Sequence, residues 1–425
     1  MKKVLRPCAL ALLSLFGVAS AAAAQEPPPP AEPPAVEQPP PEQPPPPTQP
    51  PPVLPPPVTP PPAPAPSAAT GPLKIEGPNA SIRFGVLLQP QYEAAGSLTQ
   101  SGYAHNLYLR RARVLVGGTL FQDFEFFFES DSPNLFKANV DGVKNTQGMF
   151  VQDAIVTWKR FEFLKIDAGF MFPPLAHNAV QSAATLYSWD YFTNTFRHSD
   201  IFNAASPPVG RDAGAQLRGL VLGGRLEYRF GAFQGLREPS APAMGPTPAQ
   251  TQAQNMVRLC GRLQFNLWDP ETAFFYAGSY LGKKRILSVG AAFDVQDDYH
   301  YWAGDVFFDY PLGPDVVTAQ FNVAQWNSDG FIRNAMGAPV LPTQTAYMIE
   351  AGYLIGKVEL SPIGRFERLA YSAPGTDSSR LSLGLAWWYH GHNSNLKFFY
   401  SFIRNETDAA PSTNQVNLQW QYYIF

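Results

Sequence analysis

From Ser81 to Phe425 the chain keeps a two-residue rhythm. Apolar residues alternate with Arg or Gly in Ile82-Arg83-Phe84-Gly85-Val86, and Gln89 and Gln91 continue the polar phase. Leu164-Lys165-Ile166-Asp167-Ala168-Gly169-Phe170, Gly224-Arg225-Leu226-Glu227-Tyr228-Arg229-Phe230 and Val416-Asn417-Leu418-Gln419-Trp420-Gln421-Tyr422 do the same. Such alternation places one set of side chains on each face of a β-strand. No apolar run after residue 24 reaches the roughly 18 residues that a membrane-spanning helix needs. A soluble sandwich would also alternate, but here segments of about 10 residues are separated in turn by tight connections and by long polar loops. That tempo predicts an all-β fold: a transmembrane antiparallel β-barrel with lipid on its apolar face and water in its lumen. Only a closed barrel leaves no unpaired strand edge in hydrocarbon.

Candidate strands lie at 82–92, 104–117, 121–130, 148–160, 163–172, 210–219, 223–234, 256–267, 273–281, 285–296, 302–310, 316–327, 344–354, 357–371, 380–390, 394–404 and 413–425. That is seventeen, whereas a single-chain bacterial barrel takes an even number, with its short turns all on one side. Counted forward, the long loops 131–147, 173–209 and 236–254 share a side. Counted back from the C-terminus, 405–412, 372–379 and 328–343 do so. The two counts agree only if 273–281 is not a membrane strand, which leaves sixteen. Barrels of sixteen to eighteen strands enclose an aqueous channel.

The residues ahead of the barrel divide into two further segments. Lys2, Lys3 and Arg6, then Ala9 to Val18, then Ala22-Ala23-Ala24 read as a secretory signal peptide over 1–24. Cys8 opens its apolar region and cannot become a lipid-modified N-terminal cysteine, and without it Cys260 has no disulfide partner. Of the 41 residues from Glu26 to Pro66, 24 are Pro. We read 25–78 as a linker, disordered or polyproline II, reaching roughly 120 Å for its proline-dense part if extended. It would sit in the periplasm, either as a plain spacer or as an arm touching peptidoglycan. Residues 79–425 form the barrel domain.

A diffusion pore discriminates by its width and by the charges lining its narrow part. With polar phases inward, the lumen would carry Arg83, Lys165, Asp167, Arg218, Arg225, Glu227, Arg229, Arg258 and Arg262. The arginines crowd on 210–219, 223–234 and 256–267. There they either offer forked donors to anions or pair with neighbouring carboxylates such as Glu227. Arg110, Arg111 and Arg113 cannot all face inward without a bulge. In the loop 173–209, Asp190, Arg197, His198 and Asp200 are the constriction candidates. Trp387-Trp388-Tyr389 and Trp420 to Tyr423 suit interfacial girdles. Phe425 falls one residue out of phase with the apolar face of its strand.

Other functions fit less well. A net charge of −3 gives no footprint for nucleic acid. His198-Ser199-Asp200 has the residue types of a hydrolase relay, but neighbours on one loop rarely reach its geometry. His390 and His392 are too few for a closed metal site. No enzyme, cofactor or metal is therefore expected. A barrel that anchors the envelope to the cell wall through the proline arm is the alternative to a pore.

Several pieces together resemble the phosphate-selective porins O and P. They are Leu109-Arg110-Arg111-Ala112-Arg113 with Gly117-Gly118-Thr119-Leu120-Phe121, Gln152-Asp153-Ala154, Arg211-Asp212-Ala213-Gly214 and Tyr228-Arg229-Phe230-Gly231-Ala232-Phe233. Gly282-Lys283-Lys284-Arg285-Ile286-Leu287-Ser288-Val289-Gly290 and Asp309-Tyr310-Pro311-Leu312-Gly313 complete the set. The resemblance covers nearly all of 79–425. It implies a sixteen-stranded, homotrimeric outer-membrane porin of a Gram-negative bacterium whose third external loop, here 173–209, folds into the lumen. It also implies passage of small hydrophilic solutes with an anion, phosphate-type preference. That family's selectivity looks to depend on lysines at the constriction, whereas 173–209 contains no Lys and the residues from 79 onward hold 27 basic and 29 acidic side chains. The anion preference expected here is accordingly modest.

Overall fold

The computed structural model describes residues 73–96, 102–139, 142–192, 210–235, 250–251, 256–327, 332–333, 343–372, 376–406 and 412–425. Sixteen long strands follow one another: β1 (Ala80–Gly96), β2 (Tyr103–Leu120), β3 (Phe124–Asp131), β4 (Phe150–Phe161), β5 (Leu164–Met171), β6 (Asp212–Val221), β7 (Leu226–Phe233) and β8 (Arg258–Asn266) form the first half. The second half comprises β9 (Ile286–Gln296), β10 (Tyr299–Leu312), β11 (Asp315–Asn327), β12 (Gln344–Leu354), β13 (Leu360–Tyr371), β14 (Ser378–His390), β15 (Ser394–Asn405) and β16 (Thr413–Ile424). Each is hydrogen-bonded antiparallel to the next. The last returns to the first through Leu418 opposite Tyr92 and Tyr422 opposite Leu88, which closes the cylinder. Of the seventeen alternating candidates, 273–281 is the one that forms no strand.

The pleat sorts the side chains as the rhythm requires. On β14, Leu381, Leu383, Leu385 and Trp387 point out and are left exposed, while Ser382 and Ala386 are buried inside. On β1 and β16 the inward rows are Gln89, Gln91 and Glu93, and Asn417, Gln419 and Gln421. The outer face of the strands is thus predominantly apolar, and each strand's backbone is hydrogen-bonded to its two neighbours. The tilted rings of Trp387 and Tyr389 lie 4.9 Å apart on the outer face beside those of Trp420 and Tyr422, 4.6 Å apart. Trp388 and Tyr423 have the opposite parity and face the lumen, so only every second residue of the two runs lies on the outer face.

Ala80, where β1 begins, and the terminal Phe425 both lie at the end of the cylinder that carries the short turns. Connections there span two to five residues, with one exception: 19 residues separate Asn266 from Ile286. A short strand, Leu73–Glu76, lies within the stretch read as linker and pairs with β1, Leu73 opposite Phe84 and Glu76 opposite Ser81. Gly77 N donating to Ala80 O at 2.8 Å closes the hairpin.

Phe425 leaves the apolar phase because it belongs to the inner one. Its ring turns into the lumen, edge-on to Phe127 at 5.6 Å, with the Arg83 guanidinium 4.1 Å from its centre. Gly117 leaves it room: a Cβ there would stand 2.7 Å from the ring.

The arginine cluster on β2 is accommodated by a β-bulge. Leu109 pairs with Pro90 and Ala112 with Leu88, so Arg110 and Arg111 together oppose the single residue Gln89.

Candidate functional site: the occupied lumen

Among the described residues two segments enter the cylinder, one from each end. From the loop end comes the third long connection, described over 172–192. Its Leu175, Ala179 and Phe192 pack on an inner apolar wall of Tyr299, Tyr301, Trp326 and Met348. Further along, Tyr187 and Trp189 pack on Ile363, Trp388 and Phe399. The wall also grips its backbone: Lys397 donates to Leu186 O (2.7 Å) and Ser188 O (2.9 Å), Arg262 to Leu175 O (3.1 Å) and Gln421 to Ala184 O (2.8 Å). The inward-folded third loop is thus present. Of its four candidates, Asp190 accepts from Arg110 (2.8 Å) and Arg111 (2.6 Å) and so ties the loop to the bulge on β2. Those two arginines outweigh the effect of burial and hold its carboxyl well below the usual range. Arg197, His198 and Asp200 lie outside the described residues.

From the turn end comes the long exception, residues 267–285, a tongue between β8 and β9. Tongue and loop meet in mid-lumen. Tyr276 N donates to Val180 O (3.0 Å), Ser182 N to Tyr276 O (2.8 Å) and Gly278 N to Thr185 O (3.0 Å). Gly278 permits this approach, since a Cβ would sit 2.7 Å from Tyr187 N. Beside the junction, His177 Nε2 lies 3.0 and 3.2 Å from the two Glu271 carboxylate oxygens, and both residues are fully buried. Burial by itself would raise the Glu271 carboxyl, but His177 and hydrogen bonds from Tyr280 and Gln264 hold it below its ordinary value.

A pH effect follows from that direction. A carboxyl whose folded pKa is depressed contributes its stabilisation fully above the unfolded value, about 4.3, and loses it as pH falls through the folded one. Open-channel current noise is expected to rise between pH 5 and about pH 3 as the tongue loosens. In Glu271→Gln that rise should shrink. Wild-type noise that stays flat down to pH 3 would remove Glu271 from this role.

The predicted arginine row has a different character from an open anion ladder. Arg218 is bonded to Asp167 (2.7 Å), Arg229 to Glu227 (2.9 Å), Arg258 to Asp294 (2.6 Å) and Asp212 (3.1 Å), and Arg262 to Asp305 (2.6 Å). Arg229 also donates to Ala273 O and Phe274 O, anchoring the tongue. These side chains are structural cross-links between wall, loop and tongue. Arg225 lies in the turn before β7 and donates to the carbonyls of Asn266, Leu267 and Trp268. Lys165 pairs with Glu162 at 2.9 Å.

Open space remains at the turn end, between the β1–β6 wall and the tongue: a cavity of ≈ 800 Å³. Several of its cations are matched, Arg113 with Glu129 (2.6 Å), Lys159 with Glu125 (2.5 Å) and Arg211 with Asp153 (3.0 Å). Two are not. Among the described residues, neither Arg83 nor Lys284 has a carboxylate partner; Arg83 stacks on Phe425 and Lys284 donates to Pro270 O at 3.0 Å. Deeper in the lumen Lys397 and Arg380 are likewise held by neutral acceptors, the latter by Ser401 and Gln415. Residue type and parity pointed to Arg83. Lys284, Lys397 and Arg380 were missed, because only the fold shows which basic residues lack a neighbouring acid.

No family model matches the chain. An uncharacterized protein of Aquifex aeolicus is 26% identical over 163 residues, 33% of this chain and 37% of that protein, so the chain spans little more than a third of its relative. Among solved structures the barrel is similar to the anion-selective porin from Comamonas acidovorans, with TM-score 0.56 and 13% identity, covering 81% of this chain and 100% of that one. It is also similar to the outer membrane channel DcaP of Acinetobacter baumannii, with TM-score 0.51 and 12% identity, covering 83% of this chain and 100% of that one. The likeness is one of fold: a porin-type barrel.

Proposed function

We propose that the protein is an outer-membrane porin, a passive channel for small hydrophilic solutes with a modest preference for anions. The observation that carries the reading is the closed sixteen-strand cylinder with an apolar outside and a polar, charged inside. Such a wall lets water and solutes in while lipid seals the outside. The anion preference rests on arithmetic of pairing: most lumenal arginines are neutralised, and four basic residues, Arg83, Lys284, Lys397 and Arg380, have no carboxylate partner among the described residues. Asp309, held by Ser279 and Thr318, is the opposing uncompensated acid. Four such cations against one such acid leave a positive bias, in keeping with an anion-selective porin of the same fold. The periplasm would lie at the turn end, where short connections gather.

Planar-bilayer recording under a potassium chloride gradient tests this. The reversal potential should favour chloride, with phosphate permeating alongside it. In an Arg83→Gln, Lys284→Gln double variant it should move toward zero, since two of the unmatched cations are gone. A reversal potential favouring potassium in the wild type would defeat the anion reading, and absence of conductance would defeat the pore.

A further inference from the structure

The cavity at the turn end has an unusual lining for a water-filled pore. Phe127 of β3, Phe274 and Phe275 of the tongue, and the terminal Phe425 gather there with ring-to-ring distances of 5.0 to 5.6 Å. They come from three separate parts of the chain, and all four rings are only half-buried, with faces left open to the cavity. An apolar surface held in water is unfavourable unless something covers it, at roughly 25 cal/mol per Å². The unmatched guanidinium of Arg83 stands at the rim. Its Cζ lies 4.1 Å from the centre of the Phe425 ring and no carboxylate pairs with it among the described residues, so its N–H groups can make a forked contact with an incoming carboxylate. Lys284, on the same cavity, has one ammonium hydrogen committed to Pro270 O and two to spare. The volume of ≈ 800 Å³ lies within the range of small-molecule sites.

We propose that this cavity is a binding site for small aromatic carboxylates, the ring lying against Phe127, Phe275 and Phe425 and the carboxylate on Arg83 and Lys284. The site would concentrate such anions at the turn end of the pore and favour their passage over equally charged aliphatic ones. The inference rests on the pore reading for its meaning, while a direct binding measurement tests it without needing conductance.

Benzoate, acetate and benzyl alcohol are titrated calorimetrically into the purified full chain in detergent, with empty micelles as the blank. Benzoate should bind at least about tenfold more tightly than acetate, a difference of about 1.4 kcal/mol. Phe275→Gln lies on the tongue and not in a strand; it should bring benzoate to within about threefold of acetate and leave acetate unchanged. Arg83→Gln should weaken benzoate fivefold or more with benzyl alcohol unaffected, and Arg83→Lys should recover part of the loss. Equal affinities for benzoate and acetate, or benzyl alcohol binding as tightly as benzoate, would overturn the site. A chain that binds benzoate but does not conduct supports the site and defeats the pore; one that conducts without preferring benzoate does the reverse.

Discussion

Excising Pro270–Lys284 and joining Asp269 to Arg285 through an Asn-Gly turn is expected to raise single-channel conductance at least about twofold, because current scales with the open cross-section. The ends are already in place: Asp269 N donates to Arg285 O at 2.9 Å and Leu267 N to Leu287 O at 2.8 Å, so the β8–β9 hairpin continues up to the cut. Asn-Gly is the residue pair that a two-residue hairpin favours, since it accepts the positive φ angles of that turn. The groups left behind are not stranded. Arg229 loses the carbonyls of Ala273 and Phe274 but keeps Glu227, and water enters the space vacated by the tongue. The barrel should therefore still fold, with unchanged β-type circular dichroism. Bilayer recordings that show the parent conductance in the shortened chain would mean that the tongue does not stand in the conducting path.

Asp305→Ala should be the most damaging single substitution in the lumen. Asp305 binds Arg262 through both oxygens, at 2.6 and 2.8 Å, and accepts from His177 N at 3.0 Å. Arg262 in turn holds Leu175 O and Gln264. One carboxylate thus links β8, β10 and the entry of the inward loop. Both partners of the pair are 1% exposed, and removing one leaves a buried charge, which typically costs about 3–5 kcal/mol. The temperature at which the barrel unfolds in detergent should drop clearly, and recordings should show larger open-channel noise as the loop works loose. Asp305→Asn, which keeps one acceptor oxygen but turns the other into a donor, should lie in between. A variant as stable and quiet as the parent would show that water readily replaces this carboxylate.

The two parts of the lumen differ in how far the chain alone revealed them. Inward and outward faces could be read residue by residue, because a pleat alternates strictly and lipid tolerates only one face. Even the exclusion of 273–281 followed from parity, although its alternation imitates a strand. Its place inside the barrel did not follow. The hint was numerical: a 19-residue connection on the side where the others span two to five. Length tells that a segment has somewhere to go, but not where, since its destination is decided by contacts with the loop 172–192 and with Arg229.

Charge behaved likewise. Arg218, Arg258 and Arg262 were legible as lumenal residues, yet whether they face solutes or acids turns on partners that are distant in sequence; only Arg229 has its acid, Glu227, close by. Asp167 lies 51 residues from Arg218, and Asp305 lies 43 from Arg262. Phe425 is the clearest case. Its parity already said that it was out of step with the lipid face, and it took Phe127 and Arg83 across the barrel floor to show what it was in step with.

By itself, the order of residues determined the strands, their number and the face each side chain takes. Those properties depend on neighbours one and two positions away and on a solvent that differs between the faces. Only the tertiary structure decided what fills the bore and which cations stay unmatched there. Pairing across a cylinder joins positions far apart in the chain, and no local pattern encodes the distance between them.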